Sequence, residues 1–253
     1  MLLKQKLARD GEFLFRWRSY LPLLLLPVLV MAMPESVQVE RALGDTWSAI
    51  WTVLCVGVAF SGIAIRVATV GFVPFGTSGR NTQEQRADYL NTTGLYSIVR
   101  NPLYLGNFMG LIGLVAAQRV WWLAIIATLA YWLYIERIVA AEEAFLERKY
   151  GGRFVGWASK TPAFLPRFRN WRSSELPFSL RTVLRREYNG LAALGIAFFA
   201  LSAAKDLVVE GMPMNIWICD DAGFIALSST SLLGFVVLRS LKKHTRLLHE
   251  PGR

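Results

Sequence analysis

Two separated stretches of the sequence contain polar residues whose types and spacing favour chemistry. In the first stretch, Arg100 and Asn101 stand directly before Pro102. Proline is favoured in the first turn of a helix, so Arg100 and Asn101 are predicted to lie where a helix begins. The free N–H groups and the partial positive charge of a helix start favour a bound anion. This stretch is therefore typical of a place that holds an anion such as a carboxylate.

The same stretch also has purely structural alternatives. Arginine and tyrosine, here Arg100 and Tyr104, frequently anchor helix ends at a membrane surface. The spacing of Gly106, Gly110 and Gly113 is typical of a small-residue face against which another helix packs closely. Binding and packing both stay open for these residues when their spacing alone is considered.

Two adjacent glutamates, Glu142 and Glu143, mark the second stretch, in a segment predicted to be helical up to Gly151. Glu142 lies three or four residues from four apolar positions, Ile138, Val139, Phe145 and Leu146. It is therefore predicted to face the apolar stripe of the helix, where a carboxylate is costly unless it is paired. We expect Arg100 or a bound cofactor as its partner. Glu143 is predicted to lie nearer the polar edge, and a solvated helix on the membrane surface is the alternative for the segment.

The elements that position these residues are predicted to be membrane helices. Of the 253 residues, 54% are hydrophobic and 18% are charged, an apolar excess over ordinary soluble domains. A helix of about 20 apolar residues spans a bilayer. Six apolar segments occur near residues 20–33, 46–65, 103–118, 120–135, 188–204 and 222–238. The expected fold class is therefore all-α, a polytopic membrane protein with about six transmembrane helices, the third and fourth of which form a tight hairpin.

The distribution of basic residues predicts the orientation of the chain. If both termini are cytoplasmic, the 28 Lys and Arg residues fall on the cytoplasmic side except for Arg41, Arg119 and Lys205. Because cytoplasmic loops carry an excess of Lys and Arg, we expect both termini in the cytoplasm. The connections 66–102 and 136–187 then form a cytoplasm-facing pocket. The expected location is the inner or plasma membrane of the cell.

Composition argues against several classes of function. The net charge of +10 is distributed between apolar runs, which favours the membrane surface and not nucleic acid as the partner. The two His lie in the C-terminal tail and the two Cys lie far apart, so no metal site and no His-based nucleophilic triad are expected. No Gly-x-Gly-x-x-Gly follows a predicted strand, which argues against a soluble Rossmann-type enzyme.

Together the two stretches resemble the isoprenylcysteine carboxyl methyltransferases and the related phospholipid methyltransferases, which are integral membrane enzymes. Residues 94–106 resemble the family signature Gly-x-Tyr-x-x-x-Arg-His-Pro-x-Tyr-x-Gly. The second stretch resembles the family's Glu-Glu block, which continues to Tyr150-Gly151 and to a segment with Pro162 and Pro166. The resemblance predicts N-terminal helices over residues 1–90, a methyltransferase-like core over 91–170 and an extension with two further membrane helices over 171–253.

The resemblance implies an enzyme that uses S-adenosylmethionine to methylate a lipid-like or prenylated acceptor, at a carboxylate, a phosphate or an amine. Residue by residue, it implies Arg100 and Glu142 as catalytic residues. It implies cofactor-binding roles for Tyr96, Asn101, Tyr104, Gly106 and Glu143.

Asn101 departs from the family pattern, which usually has histidine at this position. Asparagine keeps the ability to form hydrogen bonds but does not titrate near neutral pH, so we expect a binding role and not that of a base. The family also gives no role to the C-terminal extension. Both departures leave an alternative open, namely a non-enzymatic membrane protein with a role in transport or assembly that retains the methyltransferase scaffold.

Overall fold

The computed structural model describes residues 3–18, 20–74, 76–77 and 87–252. Within these residues the chain forms α-helices, short 3-10 turns and one π-helical turn, and the only β-type pairing consists of isolated bridges. The predicted all-α fold class is therefore confirmed for the described part of the chain. Arg80 and Arg86, which belong to the first predicted cytoplasmic connection, lie outside the described residues.

The described helices follow one another in a simple order. The N-terminal half contains α1 (Leu3–Trp17), a 3-10 turn (Leu21–Leu25), α2 (Leu26–Leu43), α3 (Asp45–Val70) and α4 (Pro102–Ala116). The C-terminal half contains α5 (Trp121–Tyr150), α6 (Gly152–Ala158), α7 (Leu180–Ala203), a π-helical turn (Ala204–Val209), α8 (Met214–Asp220) and α9 (Ala222–His244). The helix α1 was not expected from the apolar pattern, because it precedes the first apolar segment.

Five helical stretches are long and apolar enough to cross a membrane, which gives a multi-pass membrane protein. They are Leu21–Leu43, Asp45–Val70, Trp121–Tyr150, Leu180–Val209 and Ala222–His244. The remaining predicted segment forms α4, which is apolar but has only 15 residues. At 1.5 Å per residue it is about 22 Å long, shorter than the hydrocarbon core of ~30 Å. It is short because Pro102 starts it and a tight turn at Arg119, with a φ of 60°, leads directly into α5.

The small-residue face of α4 packs against α3 at two of its three glycines. A Cβ atom on Gly106 would lie 2.7 Å from the carbonyl oxygen of Gly62, and one on Gly113 would lie 2.6 Å from that of Cys55. The packing interpretation of this face therefore holds at Gly106 and Gly113. At Gly110 an added Cβ would have no neighbour within 4 Å, so this glycine faces open space.

The helix α1 lies along the part of α5 that follows its apolar segment. A Cβ atom on Gly11 would lie 1.9 Å from the carbonyl oxygen of Arg137, so the two helix backbones touch here. Phe15 is buried in one cluster with Tyr131 and Ile135 of α5. This packing brings Arg18, just after α1, to the middle of the molecule.

A polar network closes the end of the helices opposite to α1. The side chain of Glu40 pairs with both Arg119, at 3.4 Å, and Lys205. Arg41 pairs with Glu210 at 3.4 Å. The three basic residues excluded from the predicted cytoplasmic side therefore meet at one end of the molecule. The network also joins α2 and the α4–α5 turn to the π-helical turn after α7.

Candidate active site

A cavity of about 870 Å³ lies between α3, α4, α5 and α7. All seven residues singled out in the sequence line it, namely Tyr96, Arg100, Asn101, Tyr104, Gly106, Glu142 and Glu143. The two stretches are separated by the α4–α5 hairpin in the sequence, and the hairpin brings them side by side. The volume is near the upper end of the range of ~300–1,000 Å³ that small-molecule sites occupy.

Arg100 divides its hydrogen-bond donors between a loop and a carboxylate. Its Nη1 donates to the carbonyl oxygens of Ala158 at 2.7 Å and Thr161 at 3.0 Å. Its Nη2 lies 2.9 Å from Oε1 of Glu143. Its Nε is buried and has no hydrogen-bond partner among the described residues. The guanidinium thus joins the start of α4, the Glu-Glu block of α5 and the proline-containing loop that follows α6.

Asn101 and its neighbours fasten the same loop through further hydrogen bonds. The Asn101 side-chain amide donates to the carbonyl oxygen of Ala163 at 3.1 Å. The backbone N–H of Arg167 donates to the carbonyl of Ile98 at 2.9 Å, and the indole of Trp157 donates to that of Tyr96 at 3.2 Å. The start of α4 is therefore covered by protein. Backbone carbonyls of α6 and of the loop after it accept donors of Arg100 and Asn101, whereas Nε of Arg100 keeps a donor without a partner, so the anion site expected at this helix start stays a prediction.

Glu142 has two protein partners, and neither of them is Arg100. The hydroxyl of Tyr104 donates to Oε1 of Glu142 at 2.8 Å, and Nη1 of Arg18 lies 3.6 Å from the same oxygen. Of the two partners expected for Glu142, Arg100 is therefore wrong, and the bound cofactor stays a prediction. The physical reason is that α1 brings Arg18 beside α5, whereas Arg100 is turned towards the loop and Glu143.

The predicted difference in burial between the two glutamates is also absent. The side chain of Glu142 is 29% exposed and that of Glu143 is 28% exposed. Both side chains line the cavity. The face of α5 that the spacing of Ile138 and Val139 predicts to be packed against protein is therefore turned towards an empty space at this point. An apolar periodicity shows which face of a helix is turned inward, but it does not show where that interior is empty.

A third ion pair lines the cavity, and no feature of the sequence indicated it. Arg66 of α3 donates to Glu187 of α7 twice, from Nε at 2.7 Å and from Nη2 at 3.0 Å, and its Nη1 donates to Oδ1 of Asn107 at 2.6 Å. The side chain of Glu187 is only 6% exposed. Arg66 and Glu187 each stand at the edge of an apolar segment, where charged residues commonly lie at the membrane surface. Their positions therefore carried no signal of a pair.

The lining offers both signs of charge and several aromatic rings. Four arginines (Arg18, Arg66, Arg100, Arg186) and three glutamates (Glu142, Glu143, Glu187) line the cavity. The rings near the Glu-Glu block are those of Tyr96, Phe145, Phe154 and Trp157. S-adenosylmethionine carries a carboxylate, two cationic groups and an adenine ring, and the buried Nε of Arg100 is a donor that an anion would satisfy. The residues present therefore fit this cofactor. Among the described residues, no group of three or more His, Cys, Asp and Glu is arranged to hold a metal ion.

The fold is that of a multi-pass helical membrane protein, and its core helices enclose a cavity that the residues of both motif stretches line. Residues 50–153 match the sequence model of the family described as phospholipid methyltransferase. This match confirms the resemblance that the two stretches indicate. It extends from α3 to the start of α6 and does not include the C-terminal extension.

Curated relatives point in two directions. The chain is 37% identical over 131 residues to a nickel-cobalt-cadmium resistance protein of Alcaligenes xylosoxydans xylosoxydans, covering 51% of this chain and 56% of that protein. It is 30% identical over 131 residues to a cobalt-zinc-cadmium resistance protein of Cupriavidus metallidurans, covering 50% and 56%. It is 26% identical over 113 residues to a protein-S-isoprenylcysteine O-methyltransferase of Schizosaccharomyces pombe, covering 45% and 46%. The chain thus spans about half the length of the curated relatives it matches, and no solved structure matches it significantly.

Proposed function

We propose that the protein is a membrane methyltransferase that uses S-adenosylmethionine to methylate a lipid-like or lipidated acceptor. The observation that carries the proposal is the convergence of all seven residues from both family motifs on one cavity. The family match over residues 50–153 and the similarity to an isoprenylcysteine methyltransferase support it. The acceptor group is a carboxylate, a phosphate or an amine.

In this proposal the protein acts mainly by positioning two reactants and by excluding water. S-adenosylmethionine, when bound, supplies a methyl group on a cationic sulfur. Holding the acceptor in line with that methyl group replaces a bimolecular encounter, and a dry site favours a reaction in which charge is lost. Arg100 and Asn101 hold the end of α6 and the loop after it against the start of α4. Arg100 is thus proposed to act through the loop and through Glu143.

Glu142 is proposed to contact the reactants directly. Its carboxylate is held in place by the hydroxyl of Tyr104 and by Arg18, and part of it is exposed to the cavity. A fixed carboxylate suits the cationic end of the cofactor. If the acceptor is an amine, Glu142 is also the group that would receive its proton. A carboxylate or phosphate acceptor needs no base, because its oxygen is already deprotonated at neutral pH.

Calorimetry of S-adenosylmethionine with the full chain in lipid nanodiscs tests the proposal. We expect one binding site per chain, and we expect Glu142→Gln to weaken binding. Glu136→Gln is the matched control, since Glu136 is an exposed glutamate of the same helix that does not line the cavity. A folded parent protein that does not bind the cofactor would contradict the proposal.

The alternative function is a non-enzymatic role in the membrane, in transport or assembly. Two relatives are named for resistance to nickel, cobalt, zinc and cadmium, which favours this reading. The methyltransferase requires binding of S-adenosylmethionine, whereas the non-enzymatic role does not. A chain that confers metal resistance on cells without binding S-adenosylmethionine would establish the alternative.

The proposed orientation has both termini in the cytoplasm and the cavity open to that side, with the inner or plasma membrane as the location. The clustering of Arg41, Arg119 and Lys205 at the opposite end of the molecule supports it. Reporter fusions after residue 40 and after residue 212 should both indicate the outer side. A cytoplasmic signal from either fusion would contradict this orientation.

A further inference from the structure

The cavity does not end at the methyltransferase motifs but continues between α3, α4 and α7. This part, which we call the apolar chamber, is lined by Ile63, Gly110, Leu114, Ala193, Leu194 and Ala197. None of these side chains carries a polar group. Half of the lining residues belong to α7, in the extension to which the family resemblance assigns no role.

Gly110 accounts for the empty space on the α4 side of the chamber. The three glycines lie on the same face of α4. At Gly106 and Gly113 the backbone of α3 occupies the space where a Cβ atom would be, whereas at Gly110 no atom lies within 4 Å of that position. The backbone of Gly110 also lies close to α3, since a Cβ atom on Gly62 would be 2.8 Å from its nitrogen, but the position of its own Cβ atom is empty. Any side chain larger than alanine at position 110 would extend into the chamber.

An ion pair holds α7 against α3 at the boundary between the apolar chamber and the polar part of the cavity. Glu187 receives both Nε and Nη2 of Arg66, which ties α7 to α3 one to two turns before Ala193 and Leu194. At Gly190, one turn after Glu187, an added Cβ atom would lie 3.9 Å from Cδ1 of Ile63, which is an ordinary contact distance, so α7 lies beside α3 here. A buried pair with two hydrogen bonds holds a helix in position, because moving the helix away would leave a buried charge without its partner.

The chamber lies between helices that are long enough to cross the membrane. Ala193 and Ala197 belong to the stretch Leu180–Val209, and Ile63 belongs to the stretch Asp45–Val70. An apolar lining within membrane-spanning helices suits a hydrocarbon chain, because burying its CH₂ groups is favourable and needs no hydrogen-bond partner.

We infer that the C-terminal extension completes the acceptor site, and that the apolar chamber holds the hydrocarbon chain of the acceptor. The inference rests on the proposed function, since it places the chain so that its polar head reaches Glu142 and Glu143 at the other end of the same cavity. The Arg66–Glu187 pair lies at the boundary between head and chain. Gly110 limits how much of the chain the chamber accepts.

Photocrosslinking of the full chain in nanodiscs tests this inference. The probes are a diazirine-bearing palmitate and a diazirine-bearing farnesol, which distinguish an acyl chain from an isoprenoid chain. We expect one of them to label residues on the chamber sides of α4 and α7. We expect Gly110→Phe to lose most of this labelling. Gly57→Phe is the matched control, because Gly57 is an exposed glycine of a membrane-spanning helix with no neighbour for a Cβ atom and no place in the cavity.

Calorimetry with S-adenosylmethionine on the same samples separates this inference from the proposed function. Gly110→Phe should retain cofactor binding, which also shows that the variant is folded. Ala197→Phe, from the opposite wall, should reproduce the loss of labelling. Labelling that is confined to lipid-facing residues, or that is the same in parent and Gly110→Phe, would overturn the inference even if the parent binds the cofactor. Chamber labelling in a parent that binds no cofactor would contradict the proposed function and leave the chamber as a lipid site.

Discussion

Two of the arginine–glutamate pairs of the cavity, Arg100–Glu143 and Arg66–Glu187, have the same chemistry but different surroundings. At the motif end, Arg100 gives one nitrogen to Glu143 and another to the carbonyls of Ala158 and Thr161, and the Glu143 side chain remains 28% exposed. At the extension end, Arg66 forms a two-pronged pair with Glu187, whose side chain is 6% exposed. The carboxylate of Glu143 is thus accessible from the cavity, whereas both oxygens of Glu187 accept hydrogen bonds from Arg66.

This difference separates binding from positioning within one cavity. An accessible carboxylate beside a partly occupied arginine can exchange partners when a ligand enters, whereas a buried bidentate pair loses more than it gains by opening. The motif end is therefore suited to contact reactants, and the extension end is suited to hold a wall in place. The residues that a family motif makes recognisable are here the less buried ones.

The largest effect is expected at the buried pair. Glu187→Leu should destabilise the protein by ~3–5 kcal/mol, because the charge of Arg66 is left buried without its partner. The double variant Arg66→Leu with Glu187→Leu should recover much of this loss, since apolar replacement of a whole buried pair is often tolerated. Thermal or denaturant unfolding in detergent measures both. Unfolding of Glu187→Leu at the parent midpoint would show that the pair does not hold α7.

A smaller effect, on function and not on stability, is expected at the accessible glutamates. Glu142→Gln should lower methyl transfer by roughly two orders of magnitude, which corresponds to ~3 kcal/mol of transition-state binding. Glu143→Gln should lower it less, because Arg100 retains its two loop carbonyls. Labelled methyl transfer into membrane lipids, at matched expression and melting, measures the difference. A dead Glu143→Gln beside a fully active Glu142→Gln would reverse the two roles.

The sequence predicts the membrane helices well because bilayer thickness and apolar length are tied by simple geometry. All six apolar segments form helices, and the hairpin around Arg119 is where it was expected. The pairing of the glutamates was not predictable in the same way. Arg18 reaches Glu142 because α1 folds back along α5, and an amphipathic segment gives no information on where it docks. Long-range contacts of this kind depend on the tertiary fold.

The missed role of α7 has a related cause. Glu187 is four residues after Val183 and both are buried, so it shares the inward face of its helix. A single glutamate at the edge of an apolar run is nevertheless a normal surface residue in most membrane helices. The predicted division of the chain at residues 90 and 170 stays a prediction. The contact of α7 with Arg66 shows that the extension adjoins the cavity of the core.

A moderate effect is expected at Tyr104, which holds the Glu142 carboxylate at the motif end of the cavity. Tyr104→Phe removes the hydroxyl that donates to Glu142 at 2.8 Å but leaves Arg18 beside the carboxylate. One hydrogen bond to a charged group contributes ~1.5–3 kcal/mol, so cofactor affinity should fall by roughly ten- to a hundredfold. Tyr188→Phe, a half-buried tyrosine of α7 outside the cavity, is the control and should bind as the parent does. Equal affinity in both variants would place Glu142 away from the cofactor.

The smallest effect is expected from Asn101→His, which restores the residue usual in the family. Asn101 uses its Nδ2 to hold the carbonyl of Ala163 at 3.1 Å, and an imidazole N–H can donate to the same oxygen. Cofactor affinity should therefore stay within about twofold of the parent value, a change of ~0.4 kcal/mol. Asn101→Leu is the informative contrast, because it leaves the carbonyl without that donor and should loosen the loop by ~1–3 kcal/mol. A methyl-transfer rate that rises in Asn101→His and follows a new titration near the usual histidine pKa of ~6.5 would show instead that the imidazole of the family takes part in proton transfer. In that case this chain runs its reaction without that imidazole, which an acceptor that is already anionic allows directly and an amine allows only if Glu142 receives the proton.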